Sequence, residues 1–485
     1  MKIARNEKED GNSLDLANLE RGHVVRQPRI ALEPGDGQII IDGKTWDLID
    51  CTPFGVAVLS DEKFRLDDFL KSEEIFFGVH VNWVHIKKVR EQFTEGIWKT
   101  AFEVLGEPVQ VEKIKAIKES TRILREHKLQ SDEKKKVPEK FRRVVFEMKD
   151  WLLSLKQLVD RLQSRQDHNR VSEVSDFDTA VANQIGDYIV SAFGPAYKIL
   201  EAELKGIKEE TRATAFEFFR AEMKGLLLDA PFFERSYTKP LGYAGDYQMM
   251  NQIYAKESLG NSLFGKCLHL YFVSAPESRA VRNRARYLQG QILQILKGAQ
   301  ESELVKIMSV ASGPAMEIQN LILENPNEAK KAEFILLDQD LESLEYAQKR
   351  LRYLERSKGV KVNIKYIHRS IKSVIAGGLH LKDFDLIYSA GLFDYFSDPV
   401  AQIASQKLFD GIKGGGSLII GNFNISSPGR ITMDMALDWH LIYRSHSELM
   451  KLYGNIADDL HIEQEEESIN LFCHLRKGQD GLFGR

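Results

Sequence analysis

From Glu303 onward the chain alternates short apolar runs with helix-length stretches, and this alternation limits the possible folds more than any other feature. The strand candidates are residues 304–310, 333–337, 362–367, 384–390 and 417–423. Strands that are apolar throughout belong to a sheet covered on both faces, and helix-length connections between them make neighbouring strands parallel. Two further runs, 460–464 and 469–475, lie close enough in sequence to pair antiparallel at the end of the sheet. The expectation is an α/β domain over 301–485 with a mostly parallel seven-stranded sheet.

The chain has 485 residues, more than one hydrophobic core usually organises, so other domains are expected upstream. Residues 1–20 are polar, and short β-type runs begin near Arg29. These are Ile39–Ile41, a turn at Asp42-Gly43, then 46–49, 56–59, 79–86 and 98–105, the content of a small β-barrel over 1–118. Residues 119–137, rich in Lys and Glu, predict a helical linker. Its basic run at Lys134–Lys136 is either a solvated face or a contact for an acidic partner. After Pro138, Phe141, Val145, Met148, Leu152, Leu155, Val159 and Leu162 recur at helical spacing. With further helices over 177–204, 210–228, 259–274 and 279–297, this gives a helical segment spanning 138–300.

A formal charge of −4 leaves no global basic field, which argues against DNA or RNA as a partner. No run of about 18 apolar residues occurs, so no transmembrane segment is expected. Cys51, Cys267 and Cys473 are far apart and lack metal-ligand spacing, which suits a reducing cytoplasm and gives no reason to expect a metal.

Two motifs point to a nucleotide-like ligand. The apolar run 307–310 enters a small-residue turn, Ala311-Ser312-Gly313-Pro314-Ala315, and then a helix beginning near Glu317. Small residues allow close backbone approach, and a helix N-terminus offers free amides. The second run, Phe334–Leu337, is closed by Asp338, where a carboxylate can accept both hydroxyls of a ribose. Either motif alone is also an ordinary turn or helix cap; their joint occurrence raises the functional reading.

Together with Asp385–Leu392, these segments resemble the motifs of class I S-adenosylmethionine-dependent methyltransferases, with a Rossmann-like fold. The resemblance implies that Ala311, Ser312 and Gly313 line the methionine portion of the cofactor, with Pro314 and Glu317 also among the cofactor-binding residues. By the same likeness Asp338 takes the ribose, Gln339 and Ser370 the adenine side, and Ser389, Ala390, Gly391 and Leu392 the reacting end. The usual GxGxG is reduced here to Ala-Ser-Gly-Pro-Ala. Lys239–Tyr247 (KPLGYAGDY), Ala390–Tyr395 (AGLFDY) and Asp438–Arg444 (DWHLIYR) further resemble the bacterial methyltransferases that make 3-hydroxypalmitic acid methyl ester. That narrower likeness implies a small-molecule acceptor such as a fatty-acid carboxylate.

The Gly242–Tyr247 loop is then either a turn packed on the helical segment or a lid whose aromatic faces hold a sulfonium by cation–π attraction. A carboxylate acceptor needs no strong base. An amine or hydroxyl does, and Tyr243, Asp246, Tyr395 and His440 are the candidates.

Asp50-Cys51-Thr52-Pro53-Phe54-Gly55 resembles the [D/N]xSxxG motif of PilZ domains, with Thr52 in the Ser position. The likeness implies cyclic di-GMP bound by Arg26 and Arg29 with Asp50, Thr52 and Gly55. Arg21, Arg26 and Arg29 are not spaced four apart as that family's RxxxR requires, so the domain is alternatively a docking module for a protein partner. Two functions follow for the whole chain: a small-molecule methyltransferase regulated through its N-terminal domain, or a signalling adaptor with a non-catalytic methyltransferase fold.

Overall fold

Alternating apolar and polar residues build the first sheet. In the computed structural model the described residues are 30–32, 37–41, 44–61, 63–64, 73–76, 80–94, 96–105, 108–109, 111–165, 171–300, 303–457 and 459–479. The chain divides into two units, Met1–Asp132 and Glu133–Arg485.

The first unit holds β1 (Ile30–Ala31), β2 (Gln38–Ile41), β3 (Lys44–Thr52), β4 (Gly55–Ser60), β5 (Glu73–Phe76), β6 (His80–Thr94) and β7 (Ile97–Leu105). All pairings are antiparallel, and they run in a circuit, β3–β4–β7–β6–β5–β2–β3, with β1 added to β3. Along β7, Phe102 and Val104 are buried while Glu103 between them faces out, the period-two pattern of a half-buried strand. The core gathers Ile39, Leu48, Cys51, Val56, Ile86 and Phe102. The strand expected to end at Ile86 continues to Thr94, because pairing with β7 carries the polar stretch Lys87–Gln92 along. The helix α1 (Val111–Lys136) starts at Val111 instead of 119, directly after the last strand.

The second unit begins with α2 (Glu139–Ser164), α3 (Val171–Glu203), α4 (Glu209–Leu227), α5 (Pro231–Thr238), α6 (Tyr247–Ala255), α7 (Leu263–Ser274) and α8 (Pro276–Gly298). The α7 helix is apolar on nearly every face and is buried along its length, which makes it the centre of this helical layer. The α/β part follows: β8 (Val305–Val310), α9 (Met316–Glu324), α10 (Pro326–Ala329), β9 (Ala332–Asp338), α11 (Leu341–Lys358), β10 (Asn363–His368), α12 (Ile371–Ile375) and β11 (Phe384–Ser389). It continues through α13 (Asp398–Asp410), β12 (Ile412–Phe423), α14 (Arg430–Met435), α15 (His446–Tyr453), β13 (Asp459–Gln464) and β14 (Asn470–Arg476).

The sheet order is β10-β9-β8-β11-β12-β14-β13. The sheet is mixed: β10 through β12 pair in parallel, whereas β14 runs antiparallel to both β12 and β13. The order reverses between β8 and β11, where a crevice opens at the carboxyl ends of the strands. No helix among the described residues is long and apolar enough to cross a membrane.

Candidate functional site

Beyond the carboxyl ends of β8, β9 and β11 lies a cavity of about 860 Å³. Its floor is the turn after β8. Ala311, Gly313 and Ala315 all have φ near +54°, and two of them carry a Cβ that makes this left-handed region cost about 1–2 kcal/mol each. Held strain of this kind is more usual at binding sites than in connecting turns. The turn is tied to the next strand: the Gly313 amide donates to Asp338 Oδ2 at 2.8 Å, and the Asp340 amide donates to Oδ1 at 2.9 Å. Burial raises the pKa of the Asp338 carboxyl, and these amides pull the other way. The Ser312 hydroxyl is buried in the wall without a hydrogen-bond partner among the described residues.

The cavity brings together Ala311, Ser312, Gly313, Pro314, Glu317, Asp338, Gln339, Ser370, Ala390, Gly391 and Leu392, and Tyr243 and Tyr395 line it as well. Ser389 is not among them. It lies within the sheet, and its hydroxyl donates to the Val310 carbonyl at 3.0 Å, so it braces β11 against β8. Glu317 accepts from the Tyr388 hydroxyl at 2.6 Å, and its burial raises its pKa.

Two of the four proposed catalytic groups lie elsewhere. Asp246 caps α6, where its Oδ1 accepts from the Gln248 and Met249 amides, and it pairs with Arg235 at 2.7 Å. So engaged, Asp246 does not line this cavity. His440 is 61% exposed and bonds Asp438 at 3.0 Å, outside this cavity. Tyr243 and Tyr395 remain at the site. Desolvation at the cavity wall raises the pKa of both phenols, with Tyr395 still 42% exposed, so both hydroxyls stay protonated at neutral pH.

A second, apolar cavity of about 220 Å³ adjoins the first, lined by residues such as Phe193, Phe232, Phe272 and Leu437 from the helical layer and the α14 region. Gly245, Met250, Arg284, Gly391 and Tyr395 line both. At this shared wall the Arg284 side chain is 8% exposed, its Nε has no hydrogen-bond partner among the described residues, and Nη2 lies 3.5 Å from the Met250 sulfur. A Cβ at Gly391 would come within 2.7 Å of Arg284 Nη1, so glycine is what lets the guanidinium reach the junction. Tyr395 is held by the Trp439 indole, which donates to its oxygen at 2.7 Å. Asp394, on the apolar side, accepts from the Phe423 amide, and burial pushes its carboxyl up to about 7.

The sequence motifs pass over Arg284 and Met250. The available signal was the crowding of Arg279, Arg282, Arg284 and Arg286 on a helix that otherwise packs into the core.

In the first unit Asp50 is buried and lies 3.8 Å from Lys99 Nζ, while the Thr52 hydroxyl faces the Gly55 carbonyl at 3.4 Å across the β3–β4 turn. Arg21, Arg26 and Arg29 lie outside the described residues.

No protein-family model and no curated protein matches the sequence. Among solved structures, the chain is similar to the CurJ carbon methyltransferase at 12% identity, covering 70% of this chain and 100% of that one, with a TM-score of 0.39. It is similar to a possible exported protein from Bordetella parapertussis at 15% identity, covering 53% and 96%, with a TM-score of 0.39. The magnesium protoporphyrin IX methyltransferase of Synechocystis PCC 6803, solved with bound S-adenosylhomocysteine, is 10% identical over 50% of this chain and 98% of its own, with a TM-score of 0.35.

Proposed function

We propose that the chain is an S-adenosylmethionine-dependent methyltransferase whose acceptor is a small carboxylate with an apolar tail, such as a fatty acid. The observation that carries this reading is the pair of adjoining cavities, one holding Asp338 and the other mostly apolar around Phe232, with Arg284 in the wall they share.

The residues of the larger cavity suit the cofactor. Asp338 ends its strand with amides on both oxygens and lone pairs left for ribose hydroxyls. Ser312 offers an unmatched hydroxyl, and Tyr243 and Tyr395 offer aromatic faces suited to a cation. When bound there, S-adenosylmethionine supplies a methyl group on a sulfonium that a nucleophile can displace directly.

The protein's part is alignment and exclusion of water. Arg284 presents a planar fork that fits a carboxylate, and the apolar cavity beyond it takes the tail. A carboxylate is ionised at neutral pH and requires no base, which accords with Asp246 and His440 lying away from the cavities.

Calorimetry with S-adenosylmethionine tests the reading. Wild type binds, and Asp338→Ala, losing two hydrogen bonds to a charged group at about 1.5 kcal/mol each, binds about 100-fold more weakly. Absence of binding to wild type, or equal binding by the variant, refutes it. Titration with cyclic di-GMP separately tests the nucleotide reading of Asp50, Thr52 and Gly55.

A further inference from the structure

The far edge of the second sheet carries a set of ligand-type side chains that the methyltransferase reading does not use. His461 on β13 stands directly opposite His474 on β14, and Glu463 lies two residues further along β13, so all three project from one face. One ligand atom from each lies within 4.8 Å of the others. Glu463 Oε1 is 3.6 Å from His461 Nε2, and Oε2 is 3.8 Å from His474 Nε2. Ligands of a tetrahedral ion with bonds of about 2.0–2.1 Å stand roughly 3.4 Å apart, so the set is nearly closed already.

The two imidazoles are stacked, with centroids 4.6 Å apart and planes 14° from parallel. Their lone pairs therefore run side by side, and convergence on one ion needs one ring to turn. His461 can do so because its side chain is 54% exposed, whereas His474 at 8% is held in place. From α8 the Tyr287 hydroxyl lies 2.5 Å from both Glu463 Oε2 and His474 Nε2, and its ring stacks on Phe472 at 4.1 Å. One phenolic proton serves one acceptor at a time, so this oxygen is the natural outer partner or fourth ligand for an ion among the three.

We propose that His461, Glu463 and His474 form a site for one divalent transition-metal ion of the zinc type, with Tyr287 or water completing the coordination. Two imidazoles and a carboxylate are a donor set that zinc prefers over magnesium or calcium. Bound there, the ion ties the edge strand β13 to its neighbour and to α8. Tyr287 lies three residues from Arg284 on that helix, so the ion steadies the segment that lines both cavities.

The test is a titration of the full chain with cobalt(II), read by the visible bands of a four-coordinate ion, followed by competition with zinc. Wild type saturates at one equivalent and zinc abolishes the bands. His461→Ala and Glu463→Gln, both at half-exposed positions that leave the fold intact by circular dichroism, lose the saturable site. Tyr287→Phe keeps it with affinity lowered about tenfold or more. Absence of saturable binding in wild type leaves only a hydrogen-bonded cluster and overturns the proposal. Unchanged binding in folded His461→Ala overturns it equally.

Discussion

Replacing Arg284 by Met is the sharpest probe of the acceptor assignment. Methionine fills much of the same space and leaves the Met250 contact apolar, so the change removes the guanidinium without opening a large void. The fork sits at 8% exposure with one nitrogen unmatched, in a wall flanked by Asp394 and Glu317, whose carboxyls it stabilises electrostatically. Removing one partner of a buried charge-assisted pair costs about 2–5 kcal/mol. Taking about 3 kcal/mol, kcat/KM for a carboxylate acceptor falls roughly 150-fold. Arg284→Lys keeps the charge and loses the fork, so it recovers part of the rate. The assay is transfer of labelled methyl from S-adenosylmethionine to a long-chain carboxylate, with donor affinity measured separately. An Arg284→Met enzyme that retains kcat/KM within about threefold of wild type, well inside the expected loss, refutes the role given to Arg284. So does a variant that loses donor and acceptor affinity equally.

Gly245→Ala places a methyl 2.7 Å from the Trp439 ring and 2.9 Å from the Tyr395 oxygen, at the junction of the cavities. Displacing Tyr395 by a fraction of an ångström lowers turnover by up to about 100-fold, measurable in the same assay, while the overpacking against Trp439 costs about 1–3 kcal/mol of stability. Asp394 has a folded pKa of about 7 against an ordinary 3.8, so between those values the native state keeps a proton that the unfolded chain has released. Stability therefore falls as pH rises from about 4 to about 7 and then levels off. Asp394→Asn removes this contribution to the slope, which denaturant melts at several pH values would detect; an unchanged slope contradicts the shift. His440→Gln, at an exposed position outside both cavities, leaves kcat within about twofold and stability within about 0.5 kcal/mol; a large loss of rate would return His440 to the chemistry.

Much of the larger cavity was legible because its residues sit where local rules operate. A small-residue turn after an apolar strand and an acid closing the next strand are both written in consecutive residues, and Ala311–Pro314 and Asp338 do meet in one cavity. Ser389 shows the limit of that reasoning, since the last residue of a strand can point into the crevice or back into the sheet. Its hydroxyl took the Val310 carbonyl. Asp246 carried a second readable signal, an acid just before a helix, and that ordinary capping role is the one the fold uses. Arg284 and the trio His461, Glu463 and His474 depend on contacts between elements distant in sequence. No periodicity along α8 shows that Gly391 leaves room for a guanidinium, and no spacing along β13 shows that His474 is its register partner.

The position of β14 bears on how the protein is made. It lies between β12 and β13 although it follows both in the chain. Until residues 470–476 leave the ribosome, β12 presents the open apolar edge Leu418–Phe423, and β13 lacks the strand it pairs with. An open edge of this kind invites pairing with other chains, and covering it is a non-local and slow step, because residues 470–476 must find 417–423 far upstream. Translation of the last strand thus becomes the event that commits the nascent chain to its native state, and chaperone dependence should concentrate in the interval before it.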